Sequence, residues 1–155
     1  MTKKLFFFKG VIILFLLTGC GFKVVNQSEL IDFNIENISI SGDKRISYII
    51  KNNLLPYSNS DGKKLVNIEI DINKNKFIKE KNIKNEITKF EISIDAIVQY
   101  QSKKNGKFQI SKQGDFNVSS QYSQTLNNEK KLIEILSESL AESIIEELIL
   151  RVNDT

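Results

Sequence analysis

The chain has 155 residues, with 22 Lys and Arg against 19 Asp and Glu, one Cys, one Pro, no His and no Trp. That length suits one domain able to bury about two-thirds of its unfolded surface, and a single cysteine excludes an internal disulfide. Without histidine the usual general bases and nucleophile activators are missing. No Gly-rich phosphate loop, metal-ligand cluster or serine elbow occurs either, so neither an enzyme nor a bound metal or cofactor is expected. Ile, Asn and Lys are abundant throughout, so for lysines only their placement is informative.

Residues 1–19 read as an export signal. Lys3, Lys4 and Lys9 form a basic start, and Val11-Ile12-Ile13-Leu14-Phe15-Leu16-Leu17 an apolar run that ends in small residues. The run is well short of the ~20 apolar residues of a membrane span. Removing its three lysines from the 22 basic residues leaves 19 against 19 acidic ones, a net side-chain charge of zero for residues 20–155. The apparent basicity thus belongs to the signal and gives no support for nucleic-acid binding. A catalytic thiol would want a His neighbour to lower its pKa, and the chain has none, so Cys20, the only cysteine, is better read through the residues before it.

From 20 to 33 no period is visible, and the segment reads as a tether. Around 34–40, Ile35, Ile38 and Ile40 alternate only weakly, which predicts a first strand. Ser41-Gly42-Asp43 then offers a turn and an N-cap, and Ile46, Ile49, Ile50 and Leu54 recur at helical spacing until Pro56 ends the helix. Asn59-Ser60-Asp61-Gly62 is a loop.

The period then changes to two. Val66, Ile68, Ile70 and Ile72 alternate with Asn67, Glu69, Asp71 and Asn73, a half-buried strand with one wet face. Phe90, Ile92, Ile94, Ala96, Val98 and Tyr100 repeat the pattern, and Asn105-Gly106 signals a hairpin. It leads to Phe108, Ile110, Phe116, Val118 and Tyr122 on one face, with Gly114 expected at a bulge or bend.

A last helix is predicted over about 128–152, with a stripe of Leu132, Ile133, Leu136, Leu140, Ile144, Ile145 and Leu148. On its other side Glu134, Glu138, Glu142 and Glu146 stand at i, i+4, a like-charge row that weakens the helix slightly, so packing must hold it. The carboxylates Glu69, Asp71, Glu91 and Asp95 fall on wet strand faces and read as solvated. The order β-α-β-β-β-α predicts an α+β domain over 34–155, a four-stranded mixed sheet with two helices packed on one face. Its first two strands should be parallel because a helix joins them.

One cluster exceeds what composition supplies. Lys74, Lys76, Lys79, Lys81, Lys84 and Lys89 crowd what reads as the connection between the second and third strands, and Lys103, Lys104 and Lys107 crowd the next hairpin. Edge protection is one reading of such lysines. The other is contact with a phosphorylated ligand or an anionic headgroup, which Lys meets as a point charge.

Leu17-Thr18-Gly19-Cys20 resembles the lipobox of bacterial lipoproteins. That resemblance implies that Cys20 becomes the N-terminus and carries an N-acyl diacylglycerol, a membrane anchor of more than one acyl chain. The Cys20-Gly21-Phe22 start, the strand-helix opening from Ile35 to Pro56, Phe90-Glu-Ile-Ser-Ile-Asp-Ala-Ile-Val-Gln-Tyr100, Phe116-Asn-Val-Ser-Ser-Gln-Tyr122 and the long final helix together resemble the LptE family of lipopolysaccharide-assembly lipoproteins. Membership would imply a domain that plugs an LptD-like outer-membrane β-barrel, helps to assemble it and contacts lipopolysaccharide. The protein would be lipid-anchored at the periplasmic face of the outer membrane, and Gly21 after the cysteine is similar to lipoproteins sorted there. The family links lipopolysaccharide contact to basic residues in the second hairpin region, where Lys84 lies, and just before the last helix. At that second place this chain departs, with Thr125-Leu126 and only later Lys130 and Lys131. Two other readings stay open: an auxiliary lipoprotein of an ABC-type phospholipid transport system, and a structural envelope lipoprotein without a ligand.

Overall fold

A computed structural model describes residues 32–59 and 62–153. The export signal, Cys20 and the tether expected over 20–33 lie outside these residues, apart from its last two positions. The elements follow the order β1 (Phe33–Ser41), α1 (Lys44–Leu54), a 3-10 turn (Leu55–Asn59), β2 (Lys64–Lys81), β3 (Ile87–Gln101), β4 (Gly106–Asn117) and α2 (Tyr122–Asn153). The strands form one sheet in the order β1-β2-β3-β4. The pair β1 and β2 is parallel, and the other two pairs are antiparallel. This is the expected mixed α+β architecture.

Helix α1 starts where its cap says it should. Asp43 sits in extended conformation at the N-cap, and its carboxylate accepts from the backbone N–H of Arg45 at 3.0 Å and of Ile46 at 3.2 Å, satisfying donors that have no partner within the helix. The preceding Gly42 has φ +109, and a Cβ there would lie 2.2 Å from the carbonyl oxygen of Ile72. Any side chain would push the turn off β2 and strain the backbone.

The core lies between the sheet and the helices. Ile46, Ile50 and Leu54 of α1 and Ile133, Leu136, Leu140, Ile144, Ile145 and Leu148 of α2 close over Val66, Ile68, Ile70, Ile72, Ile92, Ile94, Ala96 and Val98. Each of those fully buried Ile and Leu side chains is worth about 1.5–3 kcal/mol in transfer terms. Glu134, Glu138, Glu142 and Glu146 are all exposed, as the stripe requires.

Four local expectations change. The weak alternation of β1 comes from a bulge: the register with β2 slips between Ile35 and Asn37, so Phe33 and Ile35 face the core before it and Ile38 and Ile40 after it. Gly114 is not a bulge, since it pairs in regular register with Ile92. It is instead a place of close approach, where a Cβ would stand 2.8 Å from Cδ1 of Leu132 on α2. Helix α2 begins about six residues earlier than expected, so Tyr122 is its first residue and exposed rather than on a strand face. A polar junction makes that early start possible: Thr125 Oγ1 accepts from the N–H of Ser119 at 2.9 Å, and Ser119 Oγ accepts from that of Gln121 at 3.3 Å.

The fourth change is the largest. Strand β2 continues to Lys81 and β3 begins at Ile87, so the lysine-rich stretch is mostly ladder and only a short turn is connection. Past Ile72 the helical face of β2 carries Lys74 and Lys76 at the rim of the core in place of apolar side chains, which removes the apolar half of the alternation, while main-chain pairing with β3 continues from Asn73 to Lys81.

Candidate functional site

The end of the β2–β3 hairpin runs free of the helices. Every residue from Lys76 to Glu86 is exposed. The turn is organised by Asn82, whose N–H donates to the carbonyl of Glu86 at 2.9 Å and whose Oδ1 accepts from the N–H groups of Lys84 and Glu86 at 2.9 and 3.0 Å. Asn85 takes the left-handed position with φ 62, which Asn tolerates better than most side chains. A register slip on either side of Glu80 leaves Lys79 without a ladder partner and adds twist near the tip.

The six lysines do not form one patch. Lys74 points to the helical side and reaches the Asp43 carboxylate at 2.5 Å. That contact, followed by the N–H groups of Ile46 and Arg45, holds the Asp43 carboxyl below its ordinary range. Lys76 lies on the same side, 2.6 Å from Glu129 of α2 and over the Phe90 and Phe116 rings at 4.4 and 5.2 Å from their centroids. Those rings stack on each other at 5.7 Å, so Lys76 closes the end of the core with a cation on an aromatic pair.

Lys79 and Lys89 project from the open face of the sheet. Lys79 lies 3.1 Å from Glu91 and 3.3 Å from Asp115, and Lys89 lies 3.5 Å from Glu80 and 3.6 Å from Asp115. Contact with Glu91 first, then with Asp115, raises the Lys79 ammonium above its ordinary value, and Lys79 holds the Asp115 carboxyl below its own.

Two lysines differ from these four. Lys81 donates to the amide oxygen of Asn85 at 3.0 Å and has no carboxylate partner among the described residues. Lys84, at the turn, likewise has no carboxylate partner among them. Between the two, Ile83 is fully exposed, and Phe77 and Ile78 are 54% and 52% exposed. The hairpin end thus joins two unneutralised ammonium groups to three exposed apolar side chains. Sequence reasoning about charge missed the apolar members. Their signal was present as Phe77-Ile78 and Ile83, interrupting an otherwise polar run.

Elsewhere the open face is dominated by uncharged polar groups. Asn37, Ser39, Asn67, Gln99 and Gln101 line a shallow cleft with Glu69, and Asn37 donates to Asn67 at 2.8 Å. Asp71 accepts from Ser41 Oγ at 2.8 Å. Among the described residues no group of three or more Cys, Asp or Glu side chains could hold a metal ion, and no helix is long and apolar enough to cross a membrane.

The fold defines a class before it defines a protein: a β-α-β-β-β-α domain with one covered and one open sheet face. Solved structures of that class include rare lipoprotein B from Shewanella oneidensis, similar over 76% of this chain and 97% of its own with a TM-score of 0.60 at 11% identity. Lipoprotein B from Nitrosomonas europaea matches over 86% and 94% with a TM-score of 0.61 at 11% identity. A minor lipoprotein from Acinetobacter baumannii matches over 77% and 91% with a TM-score of 0.55 at 8% identity. No family model matches the chain, and no curated protein does. At such identities the likeness is one of fold.

Proposed function

We propose that the chain is a lipid-anchored envelope protein of the lipopolysaccharide-assembly kind. It is held by acyl chains on Cys20, seated in an LptD-like outer-membrane β-barrel that it helps to assemble, and in contact with lipopolysaccharide in transit. The observation that carries this reading is the free β2–β3 hairpin. Its end offers ammonium groups without carboxylate partners beside exposed Ile83, Phe77 and Ile78, a pairing of chemistries that suits a phosphorylated amphiphile. Support also comes from the lipobox-like Leu17-Thr18-Gly19-Cys20 and from the similar folds of the lipoproteins above.

The geometry divides the lysine set. Lys81 and Lys84 are the foremost contacts for lipid phosphate. Lys79 and Lys89 are second, since each must first leave its carboxylates, and Lys74 and Lys76 serve the fold. Charge reversal of Lys81 and Lys84 to Glu is expected to weaken lipopolysaccharide binding at low salt, where such contacts are strongest. Unchanged binding would remove the hairpin from the site.

Isolation of the intact protein in mild detergent tests the partner. A large β-barrel recovered with it supports the plug. An ABC or substrate-binding component would instead favour phospholipid transport, and neither would leave a structural lipoprotein.

A further inference from the structure

The two ends of the sheet differ in what they can reach. Chain entry is at Asp32, whose carbonyl accepts from the N–H of Lys64 at 3.1 Å, and Phe33 pairs with Lys64 at the start of β2. The β3–β4 hairpin lies at this same end, because Gln101 pairs with Asn67 and Gly106 with Tyr100. So does the C-terminal end of α2, where the Lys64 ammonium donates to the Val152 carbonyl at 2.9 Å. The β2–β3 tip lies at the other end, ~60 Å away along an 18-residue strand.

The β3–β4 hairpin at the entry end is basic, with three lysines and no carboxylate from Tyr100 to Lys107. Lys103, Lys104 and Lys107 are exposed on the β3–β4 hairpin, and none of the three has an ion-pair partner among the described residues. Lys63, next before β2, is exposed at the same end. Arg151 is also there, paired with Glu147 at 2.8 Å and lying 5.0 Å over the Phe108 ring. The described acidic groups at this end are Asp32, Glu36, Glu69, Glu146 and Glu147; Glu36 accepts from Asn67, and Glu69 lies in the cross-strand row of Lys107, across Gln99. Leu65 and Leu150 stand 55% and 61% exposed at the same end.

We propose that this entry end, with Lys103, Lys104 and Lys107 foremost, rests on the anionic phospholipid headgroups of the membrane that carries the protein. The inference rests on the reading that Cys20 is the lipid anchor. Eleven residues lie between Cys20 and Asp32, a reach of at most ~40 Å, and β1 lies only ~10 Å across the sheet from β3. The tether therefore holds the basic hairpin within reach of the leaflet. The β2–β3 tip, at the other end of the strand, then points away from the leaflet. Lipid chains and a polybasic patch are complementary signals for one surface, and each lysine adds about fivefold to residence on an anionic surface at low salt. The arrangement assigns the two lysine clusters different partners: the leaflet for one, a ligand arriving from the far side for the other.

The test uses the intact lipoprotein with a fluorophore on Ser102→Cys or Asn85→Cys, the acylated Cys20 sulfur being unreactive. The protein is placed in vesicles of phosphatidylcholine alone or with phosphatidylglycerol, each containing a headgroup quencher. Quenching at position 102 should exceed that at position 85 several-fold in the anionic vesicles. It should fall to the level of position 85 in high salt or with Lys103→Gln, Lys104→Gln and Lys107→Gln together. Equal quenching at both positions in anionic vesicles at low salt, or stronger quenching at 85, overturns the proposal. The salt series on the unsubstituted lysines decides it independently of whether the triple variant folds. Failure to float with neutral vesicles refutes the Cys20 anchor instead, and the asymmetry between labels in anionic vesicles then still decides which end meets the surface.

Discussion

One strand, β2, crosses two environments. From Val66 to Ile72 its even positions are buried beneath helices, whereas from Lys76 to Lys81 every side chain is exposed. The backbone pairs with β3 in both halves, in regular register as far as Ile78 and slipped on either side of Glu80. In the inner half, burial of Ile and Val holds the strand. In the outer half it is held by main-chain hydrogen bonds to β3 and by ion pairs that solvent and salt weaken. A β-hairpin can therefore extend well past its core when a rigid sheet sets its register, and the part beyond is left available for contacts outside the fold.

Substitutions in the two halves should separate these contributions. Ile70→Ala empties a fully buried site and should cost about 2–5 kcal/mol in urea unfolding, while Ile78→Ala, two turns of the pleat beyond the core, should fall within about 0.5 kcal/mol of the parent. Equal losses would mean that the outer half is packed against something after all. Gly42→Ala comes next. Its positive φ and the 2.2 Å approach to Ile72 predict a loss of about 1–3 kcal/mol, read as a lowered midpoint.

Asp43→Ala removes the α1 cap at the boundary between the halves and should cost about 0.5–2 kcal/mol at neutral pH. Because the folded carboxyl sits below its ordinary 3.8, the charge-dependent share is present above that value and is lost as pH falls through the lower folded pKa. The gap between parent and variant should therefore narrow in acid. The smallest effect is expected at the exposed Lys79, Glu91 and Asp115 cluster. Lys79 is raised above 10.5 and Asp115 is lowered below 3.8, so their contribution is present between those values. It fades as pH rises through the Lys79 pKa or falls through that of Asp115. Lys79→Ala should leave global unfolding unchanged and speed hydrogen exchange only in the hairpin, an acceleration that salt reproduces in the parent.

Much of the architecture was legible because it rests on periodicity. The alternation of Val66 to Ile72 and of Ile92 to Tyr100, and the stripe of Ile133 to Leu148, require a buried face whatever the partner. The outer hairpin was not legible, since a strand that buries neither face carries no alternating pattern, and Lys74, Lys76 and Lys79 read equally well as loop. The bulge at Glu36 weakened the signal of β1 for a related reason: one extra residue reverses the inward phase from Ile35 to Ile38. Lysine placement could not separate Lys81 and Lys84 from the others, because pairing with Asp43, Glu129, Glu91 and Asp115 joins residues far apart in the chain.

The sequence by itself determined the element types, their order and the faces that must be buried, because these follow from local spacing and apolar content. Only the tertiary structure decided how far β2 outruns the helices, why residue 114 is glycine and which lysines keep their charge free. Each of those depends on where a distant element ends and which carboxylate it brings along.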